Sequence, residues 1–381
     1  MKVSVLTLHA VSNYGTQLQA YATQEKLKEY FEKVEFINYK RNDTYGKGLI
    51  NSFSKGNFLR AIAILPTIIK WKSIFGNFQK NNLNLTQKTY LKSEDFSDFI
   101  FDSDAYISGS DQVWNSGWNN GIIGELYFDF IPKNKLKFAF SSSFGKSELS
   151  EDEISKTKYL INQYRMISVR EESGLKILTK QYGYHNAVRL VDPTLAVDSE
   201  FWRHFGSKSK KKINKKYILI YNLNRSKEFD NFAKKLSQKT GLPLYRFCTR
   251  YDQIIRTGKS LIIPKIEDFI TLIDNAEYVL TDSFHATAFS MNLNTMPICV
   301  LPPKYSSRIS DFLKLLDSEQ IKIKNYNDLD VINRKVDFKK VNSILKEERK
   351  KVDCFLTKMK KIIEEEKNDW EWTCFNNCTS L

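Results

Sequence analysis

Short apolar runs rich in β-branched residues alternate with longer stretches of helical spacing along most of the chain. Lys2 to Leu8 (KVSVLTL) predicts a first strand. Leu18, Tyr21, Ala22, Leu27 and Phe31 then recur at helical spacing, and VEFINYK at 34–40 predicts the next strand. Strand, loop, helix, strand is the opening of a doubly wound parallel sheet. Ala105 to Ile107, LKFAFSSSFG (136–145), Ile167 to Val169 and AVRLVDPTLAVD (187–198) supply further short strands, each ending in a polar turn. WRHFGSKSKKKINKK (202–216) is polar and cationic and is expected as a linker. A second series follows: strands at YILIYNL (217–223), LPLYRFC, EYVLT and MPICVLPP, with helices at FDNFAKKLSQKTG, EDFITLIDNA and ATAFSMNLN between them.

The expected organisation is therefore an α/β chain of two halves facing across a cleft. The first half spans 1–200, with a helical insertion at about 43–95, and the second spans 217–335. Residues 336–381 form a C-terminal helix and tail, with one apolar stripe running from Val341 through Val352 and Leu356 to Ile363. The insertion is basic and irregular. It reads as helices packed on the sheet, a lid or membrane-surface contact being the other reading. The tail DWEWTCFNNCTSL is expected to dock back on the body.

Charge changes the picture next. Lys and Arg outnumber Asp and Glu by 59 to 44, a net charge of +15, which favours anionic partners. Much of the excess lies in runs that are ordinarily solvated faces, so nucleic-acid binding is not expected. Five scattered cysteines fit a reducing, cytoplasmic setting. Cys374 and Cys378 lack a second pair, so no zinc site is expected. The N-terminus does not read as a signal peptide. The run at 58–75 is broken by Arg60, Pro66 and Lys70, so no spanning helix is expected. Neither Gly-x-Gly-x-x-Gly nor a Walker sequence occurs.

Candidate chemistry gathers at the strand ends, where open parallel sheets place their ligands. TDSFHATAFSMNLNTMP (281–297) puts an acid, two hydroxyls and His285 between a strand and a helix. Ser110, Asp111, Ser141 to Ser143, Arg170 and Asn13 close other strands, and Arg308 follows the last one. Arginine binds carboxylate or phosphate bidentately, and histidine exchanges a proton near neutral pH. No paired metal carboxylates stand out, and no cofactor is called for.

Six of these segments, NYGTQLQAYA (13–22), YISGSDQVWN (106–115), FAFSSSFG (138–145), ISVREESG (167–174), LVDPTL (190–195) and TDSFHATAFS (281–290), resemble the polysaccharide pyruvyl transferases in order and spacing. The resemblance implies two Rossmann-like domains of the glycosyltransferase B type. It implies transfer of a pyruvyl group from phosphoenolpyruvate onto a sugar of a cell-surface polysaccharide or its precursor, as a pyruvate ketal. Carried over by motif, Arg170 and His285 lie near the donor. Ser283 stands where many members have an arginine, and Arg308 or Lys304 is the candidate replacement for that charge. His285 is the expected general acid. Asp111 is a base, an acceptor ligand or a turn cap. Asn13, Tyr14 and Trp114 are expected to line the acceptor site, core packing being the other reading for Trp114. The acceptor, free or lipid-linked, is compatible with peripheral contact at the inner face of the membrane. A nucleotide-sugar glycosyltransferase, or a non-enzymatic binder of anionic glycan, is the competing reading.

Overall fold

A computed structural model describes residues 1–302 and 307–378, with side chains to 368. The first half is a seven-stranded parallel sheet of β1 (Lys2–Leu6), β2 (Lys33–Tyr39), β3 (Leu85–Tyr90), β4 (Ala105–Ser108), β5 (Leu136–Ser142), β6 (Met166–Val169) and β7 (Ala187–Arg189), in the order β3-β2-β1-β4-β5-β6-β7. The second is a five-stranded parallel sheet of β8 (Ile218–Tyr221), β9 (Leu244–Cys248), β10 (Lys259–Ile262), β11 (Tyr278–Thr281) and β12 (Met296–Cys299), in the order β10-β9-β8-β11-β12. β1, β4, β6 and β8 are buried throughout or nearly so, as strands covered by helices on both faces must be. In each sheet the order reverses beside the first strand, which opens a crevice at the carboxyl ends.

The helices are α1 (Tyr14–Lys28), α2 (Gly46–Ser54), α3 (Phe58–Asn82), α4 (Glu151–Ile161), α5 (Glu172–Lys176), α6 (Pro193–Ala196), α7 (Ser199–Gly206), α8 (Lys227–Thr240), α9 (Ile266–Asp274), α10 (Phe284–Asn292), α11 (Ser307–Leu315) and α12 (Phe338–Cys378). Their boundaries follow local chemistry. Ser150 and Glu153 form a capping box on α4, and Ser226 caps α8, which stops at Gly241 with φ 70°. Every residue of α10 from His285 to Asn292 is buried, because the helix sits between the two halves.

Three stretches differ from the expectation. The 43–95 segment holds α2 and α3 but ends in a strand, β3, whose polar sequence LTQKTY carries little strand signal and suits an exposed sheet edge. The expected linker begins inside α7, whose Trp202 and Phe205, three residues apart, are buried. β10 is another edge strand with a weak pattern, Lys-Ser-Leu-Ile.

Two helices tie the halves together. α3 turns Thr67, Trp71, Phe75 and Phe78 inward, and the three aromatics join one apolar cluster with Phe247 and Phe269 of the second half. Its Trp71 indole donates to the Thr249 carbonyl at 2.7 Å. α12 crosses back to the first sheet, where Phe355 stacks on Phe140 with centroids 6.4 Å apart and Arg189 meets Glu348 at 2.8 Å. Cys374, Cys378 and the two tail tryptophans lie outside the described side chains.

Candidate active site

The carboxyl ends of β4, β6 and β11 and the first turn of α1 converge on one buried cluster. Arg170 follows β6 directly and pairs with Asp192, the N-cap of α6. Its other terminal nitrogen is 3.3 Å from Asp111 Oδ1, and its Nε is 3.7 Å from Glu171 Oε1. Asp111 has a left-handed backbone (φ 73°) and accepts a hydrogen bond from the Thr16 hydroxyl at 3.0 Å. A non-glycine residue held there costs on the order of 1–3 kcal/mol and is tolerated where surrounding bonds over-determine it.

His285 opens α10, and its Nε2 is 3.7 Å from Asp192 Oδ2 with no hydrogen-bond partner among the described residues. Its ring fits because residue 15 is glycine: a Cβ there would stand 2.2 Å from His285 Nδ1. Ser283 caps α10, its hydroxyl accepting from the Ala286 amide at 3.4 Å. Asp282 is spent on the preceding loop and accepts from the Leu223 and Asn224 amides at 2.7 and 2.9 Å.

Arg308, on α11, is half-buried, and among the described residues no carboxylate lies within 4 Å of it. It shares the Phe284 ring with Arg170, their guanidinium carbons 5.9 and 5.4 Å from the centroid. The two arginines face one cavity of about 500 Å³ between the halves. Phe284 and the carboxylates Glu171, Glu172, Asp192 and Asp311 also line it, as do Lys176 and Lys314, neither of which forms an ion pair among the described residues. Asp111 and His285 do not line the cavity. Arg170 and Asp192, which contact Asp111 and His285 respectively, do line it.

Burial and charge set the protonation states. Burial raises the Asp192 carboxyl, but Arg170 and His285 outweigh it and hold the group below its ordinary range. Asp111 is lowered in the same way by Arg170, His285 and Arg308. Burial dominates at Glu171 and pushes its carboxyl up despite Arg170. Burial also holds the His285 imidazole below its usual value against the opposing pull of Asp192 and Asp111, and both arginines add to the lowering. Arg308 is lowered by burial and by the Arg170 charge. The site is thus a neutral imidazole, a tethered guanidinium and an untethered one beside a cavity suited to an anion.

A family model described as polysaccharide pyruvyl transferase matches residues 13–302, which contain every group above except Arg308, Asp311 and Lys314. The chain belongs to that family. No curated protein sequence is significantly similar. Among solved structures, the transferase is similar to the UDP-N-acetylglucosamine 2-epimerase from Rickettsia bellii, with 11% identity and a TM-score of 0.52 over 95% of this chain and 98% of that one. It is also similar to Os79 from O. sativa in complex with U2F and trichothecene, with 8% identity and a TM-score of 0.51 over 95% and 100%. The UDP-GlcNAc 2-epimerase from Methanocaldococcus jannaschii gives 11% and 0.50 over 91% and 93%. These likenesses establish the glycosyltransferase-B-like fold.

Of the residues singled out from sequence, the transferase brings Asp111, Arg170, Ser283, His285 and Arg308 together. Asn13 caps α1 beside them, accepting from the Thr16 amide at 3.3 Å. Two expectations are corrected. Tyr14 is buried in the apolar contact between the halves, its ring centroid 4.6 Å from Phe247, and its hydroxyl donates to the Pro264 carbonyl at 2.6 Å. Trp114 is likewise core: it stacks on Tyr127 at 5.6 Å and donates to the Leu126 carbonyl at 3.1 Å, which leaves no face for a sugar. Lys304 lies outside the described residues. The residues not singled out include Gly15, Thr16, Glu171, Glu172, Lys176, Asp192, Phe284, Asp311 and Lys314. Asp192 had a signal, since an aspartate before Pro-Thr marks a helix N-cap at a strand end.

Proposed function

We propose that this pyruvyl transferase takes its pyruvyl group from phosphoenolpyruvate and places it on two hydroxyls of a sugar as a cyclic ketal. The observation that carries the reading is the untethered Arg308 and the tethered Arg170, both against Phe284, at a cavity that also carries Lys176 and Lys314. A small donor bearing both carboxylate and phosphate has two anionic ends for two guanidiniums to hold.

The chemistry needs one proton on the donor methylene. Protonation leaves a cationic carbon bearing carboxylate and phosphate, and a sugar hydroxyl adds to it with loss of its proton. Inorganic phosphate then departs, and a second hydroxyl closes the ketal with loss of its own proton. His285 supplies the first proton. Burial holds its imidazole toward the neutral form, and it lies behind the cavity lining, 3.7 Å from Asp192. A donor phosphate competes with Asp111 for Arg170, because the 3.3 Å contact is the looser of the two carboxylate bonds. That exchange uncovers His285, and the donor's negative charge offsets the arginines that keep the imidazole neutral. In this scheme Asp111, once released, accepts the proton of the attacking hydroxyl.

The test is incubation with isotopically labelled phosphoenolpyruvate and candidate sugars, free, nucleotide-linked and lipid-linked, with UDP-sugars as rival donors. Stoichiometric release of phosphate with label in an acid-labile ketal is expected. Sugar transfer from the UDP-sugar without phosphate release would instead favour a glycosyltransferase. His285→Ala should abolish turnover, and a pure binder would have none to lose.

A further inference from the structure

The α2–α3 hairpin carries a surface that the site does not use. α3 turns Thr67, Trp71, Phe75 and Phe78 into the protein, and its opposite side is also apolar. Phe58, Leu59, Ile62 and Ile69 are 75%, 76%, 50% and 69% exposed, and Leu65 is exposed with them. Positions 58, 62, 65 and 69 repeat at i, i+4, i+7 and i+11, so they form one stripe on the outer face of the helix. Large apolar side chains aligned over three turns are not the scattered exposed residues every surface shows.

The charge around this stripe is one-sided. Between Asp43 and Glu94 the chain has eight Lys or Arg residues and no acidic one. Lys88 and Lys92 meet Asp98 and Glu94. Lys47, Lys55, Arg60, Lys70, Lys72 and Lys80 meet no carboxylate among the described residues. With no acidic residue in the segment to offset them, these six cations give the α2–α3 region an uncompensated positive charge. The last described side chains of the C-terminal helix lie elsewhere, by Arg165 and Asp104.

We infer that this face of α2–α3 docks the transferase on an anionic lipid bilayer. Phe58, Leu59, Ile62, Leu65 and Ile69 enter the interface between headgroups and acyl chains. The lysines and Arg60 meet lipid phosphates. A second copy of the chain is disfavoured, because it would oppose two like-charged faces. A nucleic acid would gain nothing from an aliphatic stripe. No helix of the described residues is long and apolar enough to cross a membrane, so the contact is peripheral.

Vesicle flotation tests it with the full chain. Phosphatidylcholine vesicles with roughly one third phosphatidylglycerol should carry the protein up the gradient, and pure phosphatidylcholine should carry about tenfold less. Ile62→Asp/Ile69→Asp, at exposed positions that leave the core intact, should cut binding by about tenfold or more. Lys47→Gln/Lys55→Gln/Arg60→Gln/Lys72→Gln should cut it on the order of a hundredfold at low salt. Circular dichroism and thermal melts should match the wild type. Wild-type protein that stays at the bottom with anionic vesicles overturns the inference. So does flotation that either variant leaves unchanged. Retention on heparin without flotation, equal in wild type and Ile62→Asp/Ile69→Asp, would mark a polyanion site and also overturn it. Dimerisation in light scattering that Ile62→Asp/Ile69→Asp abolishes, again without flotation, would assign the stripe to self-association and do the same.

Discussion

The two arginines of the site do opposite jobs with the same side chain. Arg170 stands at the end of a buried strand and is surrounded by Asp192, Asp111 and Glu171. Arg308 rides on α11, against the same Phe284 ring, and no described carboxylate is within reach of it. A buried charge is retained only if its partners offset desolvation, so Arg170 belongs to the architecture as well as to the chemistry. Arg308 contributes to neither sheet. Its unmet charge is stabilised when an anion arrives. The comparison separates a guanidinium that holds the site's shape from one that waits for a ligand.

Removing Arg170 should have the largest effect. Arg170→Ala leaves Asp192 and Asp111 buried and facing each other's charge. It should cost about 3–5 kcal/mol of stability in denaturant titrations as well as activity. Arg170→Met should recover little, because the carboxylates still lack a counter-charge. A stable Arg170→Ala with a normal melt would break the comparison.

Arg308→Ala should leave the melt within about 1 kcal/mol of wild type, since no internal ion pair is lost. The apparent donor KM should rise on the order of a hundredfold, the worth of a charge-assisted bidentate contact. An unchanged KM would return the donor role to Lys304 or to Arg170 alone.

How far the sequence could be read follows the same divide. Asp111, Arg170 and His285 are legible because each ends a short apolar run with a polar turn, where parallel sheets expose their ligand groups. The two sheets are legible from the same runs. β3 and β10 are not, because an edge strand can be polar and loses the alternation that marks buried strands. Tyr14 and Trp114 mislead for a related reason. An aromatic beside a polar loop can face a ligand or turn inward, and only three-dimensional packing places Phe247 and Tyr127 against them. The role of Gly15 is invisible in one dimension, since the His285 ring it accommodates is 270 residues away in sequence.

A pH profile tests what the pair does to His285 together. Burial and both guanidiniums hold the imidazole below its ordinary value of 6.5, so the free enzyme carries it neutral at pH 7. If catalysis needs imidazolium, kcat/KM should fall about tenfold per pH unit above a midpoint lower than 6.5. The limb in kcat should sit at higher pH, because bound donor offsets the arginines. Arg308→Ala removes one of the charges that depress the imidazole, so its kcat/KM limb should move upward. A kcat/KM that rises with pH across this range would make His285 a base instead.

The smallest effect should come at Ser283. Its hydroxyl accepts from the Ala286 amide at 3.4 Å, and its amide donates to the Thr281 hydroxyl at 3.0 Å. Ser283→Ala should cost about 1 kcal/mol as a lost N-cap, read in the same denaturant titrations. Donor KM should change less than in Arg308→Ala, because a capping hydroxyl carries no charge to spend on the donor. That contrast is the point of the measurement. Ser283 spends its polar group on the helix, so the charge that meets an anion has to come from elsewhere. A Ser283→Ala variant with a donor KM as high as that of Arg308→Ala would mean that the hydroxyl itself holds the donor, and the division between the two arginines would no longer explain anion binding.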